Sequence, residues 1–158
     1  MITAVDTSVL LDLFIADETY LERSRAALRD SLNRGRVIAC EVVWAEVGAF
    51  FPDSLAAQDA LQTATVDFDA LDLETALAAG AAWKEYRREG GSRKRVIADF
   101  LIGAHAQVVA DRLLTRDRGF YRRYFAGLKL FDPTGDGPDG ADSAKIERND
   151  DRSPRSRP

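Results

Sequence analysis

Short apolar runs and longer amphipathic runs alternate along this chain, and the alternation predicts its elements. Ile2-Thr3-Ala4-Val5 is an apolar run of strand length that stops at Asp6. Val9, Leu10, Leu13 and Phe14 then recur at helical spacing, with Ser8 placed to cap that helix. Residues 19–34 carry Leu21, Ala26, Leu28 and Leu32 on a polar background, a second helix closed by Gly35. Val37 to Cys40 is the next strand. A helix from Val42 to Phe51 stops before Pro52, and another covers 54–64. Phe68 to Leu71 is a weak strand or an extended link. Helices follow over 74–89, ending at Gly90-Gly91, and over the apolar stretch 97–110. Residues 112–115 form a strand, 118–125 a short helix and Leu128 to Phe131 a last strand. Short apolar strands separated by helices predict an α/β fold whose parallel sheet is covered on both faces.

The pattern stops after Pro133. Residues 134–158 are rich in Gly, Asp, Ser, Pro and Arg, and Ile146 is their only large apolar side chain. Such a segment buries too little surface to offset its ordering entropy. The expected organisation is one folded domain over 1–133 and a disordered polar tail over 134–158.

Composition narrows the class. Hydrophobic residues make up 46% and charged residues 30% of the 158 positions, as in an ordinary globular domain. No apolar run approaches the roughly 20 residues that span a bilayer. The N-terminus lacks a signal-peptide pattern, since Asp6 and Asp12 interrupt its apolar stretch, so a cytoplasmic location and no membrane partner are expected. The single cysteine, Cys40, excludes an internal disulfide and a cysteine-based zinc site and reads as a buried strand residue. A net charge of -4 argues against a general nucleic-acid coat but not against a nuclease, because metal-binding carboxylates lower the formal charge. The positive charge is grouped: Lys84, Arg87, Arg88, Arg93, Lys94 and Arg95 lie together, and so do Arg112, Arg116, Arg118, Arg122 and Arg123.

Four acidic residues stand where an open parallel sheet builds its sites, or inside apolar helices. Asp6 follows the first strand directly and Asp117 lies just past the strand ending near Thr115, both at carboxyl ends of strands. Asp99 interrupts an apolar helix near its start. Glu46 sits within Val42-Val43-Trp44-Ala45-Glu46-Val47-Gly48-Ala49-Phe50-Phe51, with no Lys or Arg nearby. Taken singly, each has an ordinary reading. Asp6 satisfies backbone N–H groups, Asp99 favours a helix dipole, Glu46 faces solvent, Asp117 belongs to a turn. Taken together, carboxylates about 4 Å apart repel by roughly 4 kcal/mol at an effective dielectric of 20, so a gathered set needs compensating charge. Oxygen-only ligands suit Mg²⁺ or Mn²⁺ better than zinc.

The ordered set resembles a known family. Val5-Asp6-Thr7-Ser8-Val9-Leu10-Leu11 is similar to the first motif of the PIN-domain ribonucleases, most closely the VapC-type toxins of type II toxin–antitoxin modules. Glu46 follows at the usual distance. Residues 98–106 (Ala98-Asp99-Phe100 onward) and 113–121 (Leu113-Leu114-Thr115-Arg116-Asp117 onward) are similar to its later motifs, over about residues 1–133. The resemblance implies a three-layer α/β/α PIN-like fold with a central parallel sheet. It implies Mg²⁺ or Mn²⁺ on Asp6, Asp99 and Asp117, with Glu46 as a further or water-mediated ligand, and Ser8 and Thr115 as hydroxyls orienting a carboxylate or water. It also implies an RNA substrate, a homodimer and a small antitoxin partner. The chemistry expected of such a site is RNA phosphodiester hydrolysis by a metal-activated water attacking in line, leaving a 5′-phosphate and a 3′-hydroxyl. Arg93, Lys94, Arg95, Arg116 and Arg118 are candidates to hold flanking phosphates.

Two rival readings are a non-cleaving RNA-binding module of the same fold and a metal-dependent phosphatase. Haloacid-dehalogenase-like phosphatases need a second Asp two residues after the first, where this chain has Ser8. His105, the only histidine, lies about 600° around the helix from Asp99 and reads as a packed residue rather than a general base. Phe120, Tyr121, Tyr124 and Phe125 read as cover for a sheet edge or a dimer surface, and Trp44 and Trp83 as core or interface residues.

Overall fold

The computed structural model of the chain describes residues 1–91 and 97–135. Its elements run β1 (Ile2–Val5), α1 (Thr7–Phe14), α2 (Leu21–Arg34), β2 (Arg36–Ala39), α3 (Glu41–Gly48), α4 (Ser54–Thr63), β3 (Val66–Phe68), α5 (Leu73–Arg88), α6 (Ile97–Val109), β4 (Arg112–Leu114), α7 (Arg118–Tyr124) and β5 (Leu130–Phe131). The five strands form one sheet in the order β3-β2-β1-β4-β5, and every pair is parallel. This is the three-layer α/β/α arrangement the sequence pattern predicts.

The central strands read as unbroken apolar runs because helices cover both faces. Ala4, Val5, Val37, Ile38, Ala39, Leu113 and Leu114 are all at most 2% exposed. The buried exceptions are Thr3 and Arg112, and they satisfy one another. Arg112 donates from Nε to Thr3 Oγ1 at 3.0 Å and from Nη2 to Ser31 Oγ at 3.1 Å. Its guanidinium lies 4.2 Å from the Phe131 ring centroid. Arg112 is thus a buried tie between β4, β1 and α2.

Several boundaries move. Asp6, not Ser8, occupies the N-cap position of the first helix, which begins at Thr7. Ser8 donates to the Asp6 carboxylate instead of capping. Cys40 lies just past β2 at the N-cap position of α3 and is buried. The α3 helix stops at Gly48, and Phe50 and Phe51 continue as a turn. The third strand lies at Val66–Phe68, slightly ahead of its expected place, because Val37, Ile38 and Ala39 of β2 pair with it there.

The aromatic residues of α7 close one side of the core. Phe100 on α6 meets Phe120 edge-on at 4.9 Å and packs on Tyr86 of α5 at 5.5 Å. Gly103 lets this happen, since a Cβ there would sit 2.4 Å from the Phe125 ring. Gly35, at φ +154°, is equally constrained: its Cβ would fall 2.1 Å from the Met1 carbonyl oxygen beside the start of β2. Among the described residues no helix is long and apolar enough to cross a membrane. The expected tail lies almost wholly outside the described residues.

Candidate metal centre

The strand order reverses between β1 and β4, so the crevice of the sheet opens at the carboxyl ends of these two neighbours. Register places Val5 beside Leu114, and the Asp6 N–H continues the ladder to the Leu114 carbonyl at 2.9 Å. Asp6 and Thr115 therefore leave the sheet side by side. Thr115 is fully buried, and its hydroxyl donates to Asp6 Oδ2 at 2.6 Å. The Ser8 hydroxyl donates to the same oxygen at 3.0 Å. Thr115 Oγ1 also accepts the Asp117 N–H at 3.0 Å, so one hydroxyl ties two of the acidic residues together.

The other carboxylates arrive on helices. Asp117 caps α7, and its Oδ1 accepts the Phe120 N–H at 3.3 Å. Asp99 stands in the first turn of α6, a helix that packs on β1 and α3. Glu46 lies mid-way along α3 and accepts the Thr7 hydroxyl at 2.5 Å, which brings it to the residue following Asp6. Of the sequence-predicted acidic set, Asp117 is thus linked to Asp6 through Thr115, and Glu46 is linked to Thr7 beside Asp6.

The set does not form a closed cage. Among the described residues no three His, Cys, Asp or Glu side chains stand close enough together to hold a metal ion as placed. Glu46 accepts the Thr7 hydroxyl and Asp117 the Phe120 N–H.

The electrostatics of Asp6 test whether a cation suits this place. Asp6 is only 8% exposed, and burial pushes its pKa above the ordinary 3.8. The hydroxyls of Thr115 and Ser8 and the Thr7 N–H oppose that rise, while the charge of Asp99 adds to it. None of these groups is cationic. A buried carboxylate beside a second one, with only oxygen donors around it, fits a hard divalent ion.

The arginines beside Asp117 are tied to buried aspartates that the sequence reading did not single out. Arg116 pairs through Nη2 with Asp12 Oδ1 at 3.0 Å, and its guanidinium stacks 4.2 Å from the Tyr20 ring centroid. Asp12 is 1% exposed and takes a second hydrogen bond, from Ser24 Oγ at 2.6 Å. Arg118 Nε pairs with Asp132 Oδ2 at 2.7 Å, and Asp132 also accepts the Thr134 N–H and hydroxyl at 2.8 Å. Both arginines therefore brace the turn that carries Asp117. The available signals were Asp12 interrupting an apolar helix and Asp132 ending the last strand. Arg93, Lys94 and Arg95 lie outside the described residues. His105 is 2% exposed with Nε2 2.9 Å from Asp69 Oδ1, a packed residue as its helical position predicts.

The family model of the PIN domain matches residues 3–126, from the first strand through the aromatic helix. The chain belongs to the PIN-domain family. No curated protein matches this PIN domain. Solved structures resemble it in fold. VapBC-1 from nontypeable Haemophilus influenzae matches with a TM-score of 0.64 at 19% identity, covering 85% of this chain and 99% of that one. A toxin–antitoxin complex from Klebsiella pneumoniae matches with a TM-score of 0.61 at 22% identity, covering 83% and 97%. VapBC2 from Rickettsia felis, bound to a DNA fragment from its promoter, matches with a TM-score of 0.61 at 16% identity, covering 84% and 98%.

Proposed function

We propose that this PIN domain is a metal-dependent endoribonuclease, the toxin of a type II toxin–antitoxin module. The observation that carries the reading is Asp6, a buried carboxylate at the switch point of the sheet that is raised by burial and by Asp99 and has two hydroxyls aimed at it. Asp6, Asp99 and Asp117 would hold Mg²⁺ or Mn²⁺, with Glu46 close by. Once bound, the ion supplies positive charge at the scissile phosphate and a water of lowered pKa. The chain's own part is orientation. Thr115 and Ser8 fix the Asp6 oxygen that they share, and the Thr115 hydroxyl sets the backbone at Asp117. The structural neighbours are VapBC or toxin–antitoxin assemblies, which supports an antitoxin partner that covers the site, and a homodimer is expected with it.

The test is cleavage of a labelled RNA in Mg²⁺ or Mn²⁺ against the same reaction in EDTA. Cleavage should require metal, and Asp99→Asn should abolish it while leaving the fold intact. Metal-independent cleavage, or full activity in metal-saturated Asp99→Asn, would overturn the assignment. A folded protein that binds RNA and never cuts it would favour the non-cleaving alternative.

A further inference from the structure

Two of the cations nearest Asp117 are engaged by buried carboxylates. A separate group of cations stands on the last two turns of α5. Gly80, Trp83, Lys84, Arg87 and Arg88 line a shallow cavity of about 570 Å³ with no carboxylate in its lining. At 100° per residue these five fall within an arc of about 140° on one helix face. Gly80 has nothing within 4 Å of where a Cβ would stand, which leaves an open floor beside the indole. Trp83 is 37% exposed, a surface ring and not a core one. Arg88 shares its charge with Glu85 at 2.8 Å, while Lys84 and Arg87 make no ion pair with a described residue.

The ledge lies on the outer face of α5, the helix that packs against α6, and α6 carries Asp99. Tyr86, on the opposite side of the same turn, packs against Phe100 at 5.5 Å, and Phe100 is the neighbour of Asp99. Trp83 and Arg87 are three and one residues from Tyr86, at most about 4.5 Å along the helix axis. The same face continues away from Asp99 to Leu73 and Leu77, which are exposed and apolar. Positive charge is thus confined to the C-terminal end of this face.

We infer that Trp83, Lys84 and Arg87 form a subsite for an unpaired nucleotide of the RNA substrate, the base stacked on the indole and the flanking phosphates held by the two cations. This rests on the reading of the protein as a ribonuclease. Stacking needs a free base face, so the ledge selects single-stranded over duplex RNA. Lys84 in its lining argues for phosphate over a protein partner, since Lys is depleted in protein interfaces.

The experiment is binding of a fluorescein-labelled single-stranded 12-nucleotide RNA, and of the same sequence as a duplex, to the full chain in EDTA, where no cleavage interferes. Trp83→Leu should weaken single-strand binding about 5- to 150-fold. Trp83→Phe, which keeps a ring, should restore most of the affinity. Arg87→Gln and Lys84→Gln should each reduce the slope of log affinity against log salt by about 0.7. Duplex binding should be insensitive to Trp83→Leu. Unchanged single-strand affinity in Trp83→Leu overturns the subsite. So does a Trp83→Leu protein that changes oligomeric state while binding RNA as before, which would make this face a protein interface. RNA binding that depends on Trp83 in a protein that never cleaves would refute the nuclease reading and leave the subsite standing.

Discussion

Thr115→Val removes one hydroxyl and keeps the shape of the side chain, so it isolates what that hydroxyl does. Thr115 is fully buried, and water cannot replace the lost group. Two interactions go. The first is the 2.6 Å hydrogen bond to Asp6 Oδ2, which favours the ionised carboxylate and is the strongest influence opposing its raised pKa. A hydrogen bond to a charged group contributes about 1.5–3 kcal/mol. The second is the 3.0 Å acceptor of the Asp117 N–H, whose loss leaves a part-buried donor unsatisfied at a cost of about 1–3 kcal/mol. Asp6 must be ionised to bind a cation, so the first loss alone should weaken Mn²⁺ binding about 10- to 100-fold, the range found when a group orienting a metal ligand is removed. Calorimetric titration of the metal-free protein with Mn²⁺ measures this, and circular dichroism confirms that the fold persists. Thr115→Ser, which retains the hydroxyl, should bind within a few-fold of wild type. Wild-type Mn²⁺ affinity in a folded Thr115→Val protein would refute the reasoning, because Asp6 would then not be the ligand that the hydroxyl prepares.

Three further outcomes are expected. Burial and Asp99 hold the Asp6 pKa above 3.8, so the metal-free protein should lose stability as pH rises from about 3.8 through the raised value and level off above it. Metal-free Asp6→Asn should lack that loss and melt above wild type at pH 7, by about 1.4 kcal/mol per unit of the rise, with the difference vanishing in acid; thermal melts in EDTA across pH check it, and equal melting at pH 7 would count against a desolvated Asp6. Asp12→Ala should destabilise by about 1.5–3 kcal/mol in urea titrations by stripping Arg116 of its partner, whereas Asp12→Leu combined with Arg116→Met should recover much of the loss because no orphaned charge remains. Gly103→Ala should cost about 1–3 kcal/mol by driving a methyl into the Phe125 ring, and Phe125→Leu in that background should return part of it.

The local code of this chain was strong where burial on both sides left no choice. Val5, Ile38 and Leu114 lie in strands covered from both faces, so their runs are apolar without interruption and could be read directly. The ends of those strands were readable too, and with them Asp6 and Asp117, because a parallel sheet places its crevice there. The sequence also identified Asp99 and Glu46 as anomalies, charged residues in helices otherwise short of polar groups. What it did not contain was which groups meet. Arg116 and Arg118 read as phosphate ligands from their charge and position, yet their partners Asp12 and Asp132 are 104 and 14 residues away along the chain by their numbering, and only packing brings them into contact. Trp83 read as a core or interface residue by its type, and only the packing of α5 against α6 through Tyr86 decided that the indole faces outward. Hydrophobic periodicity reports which face of an element is buried, because that depends on each side chain's own transfer free energy. Pairing between charged side chains depends on distances set by every element at once, and so it was decided by the tertiary structure.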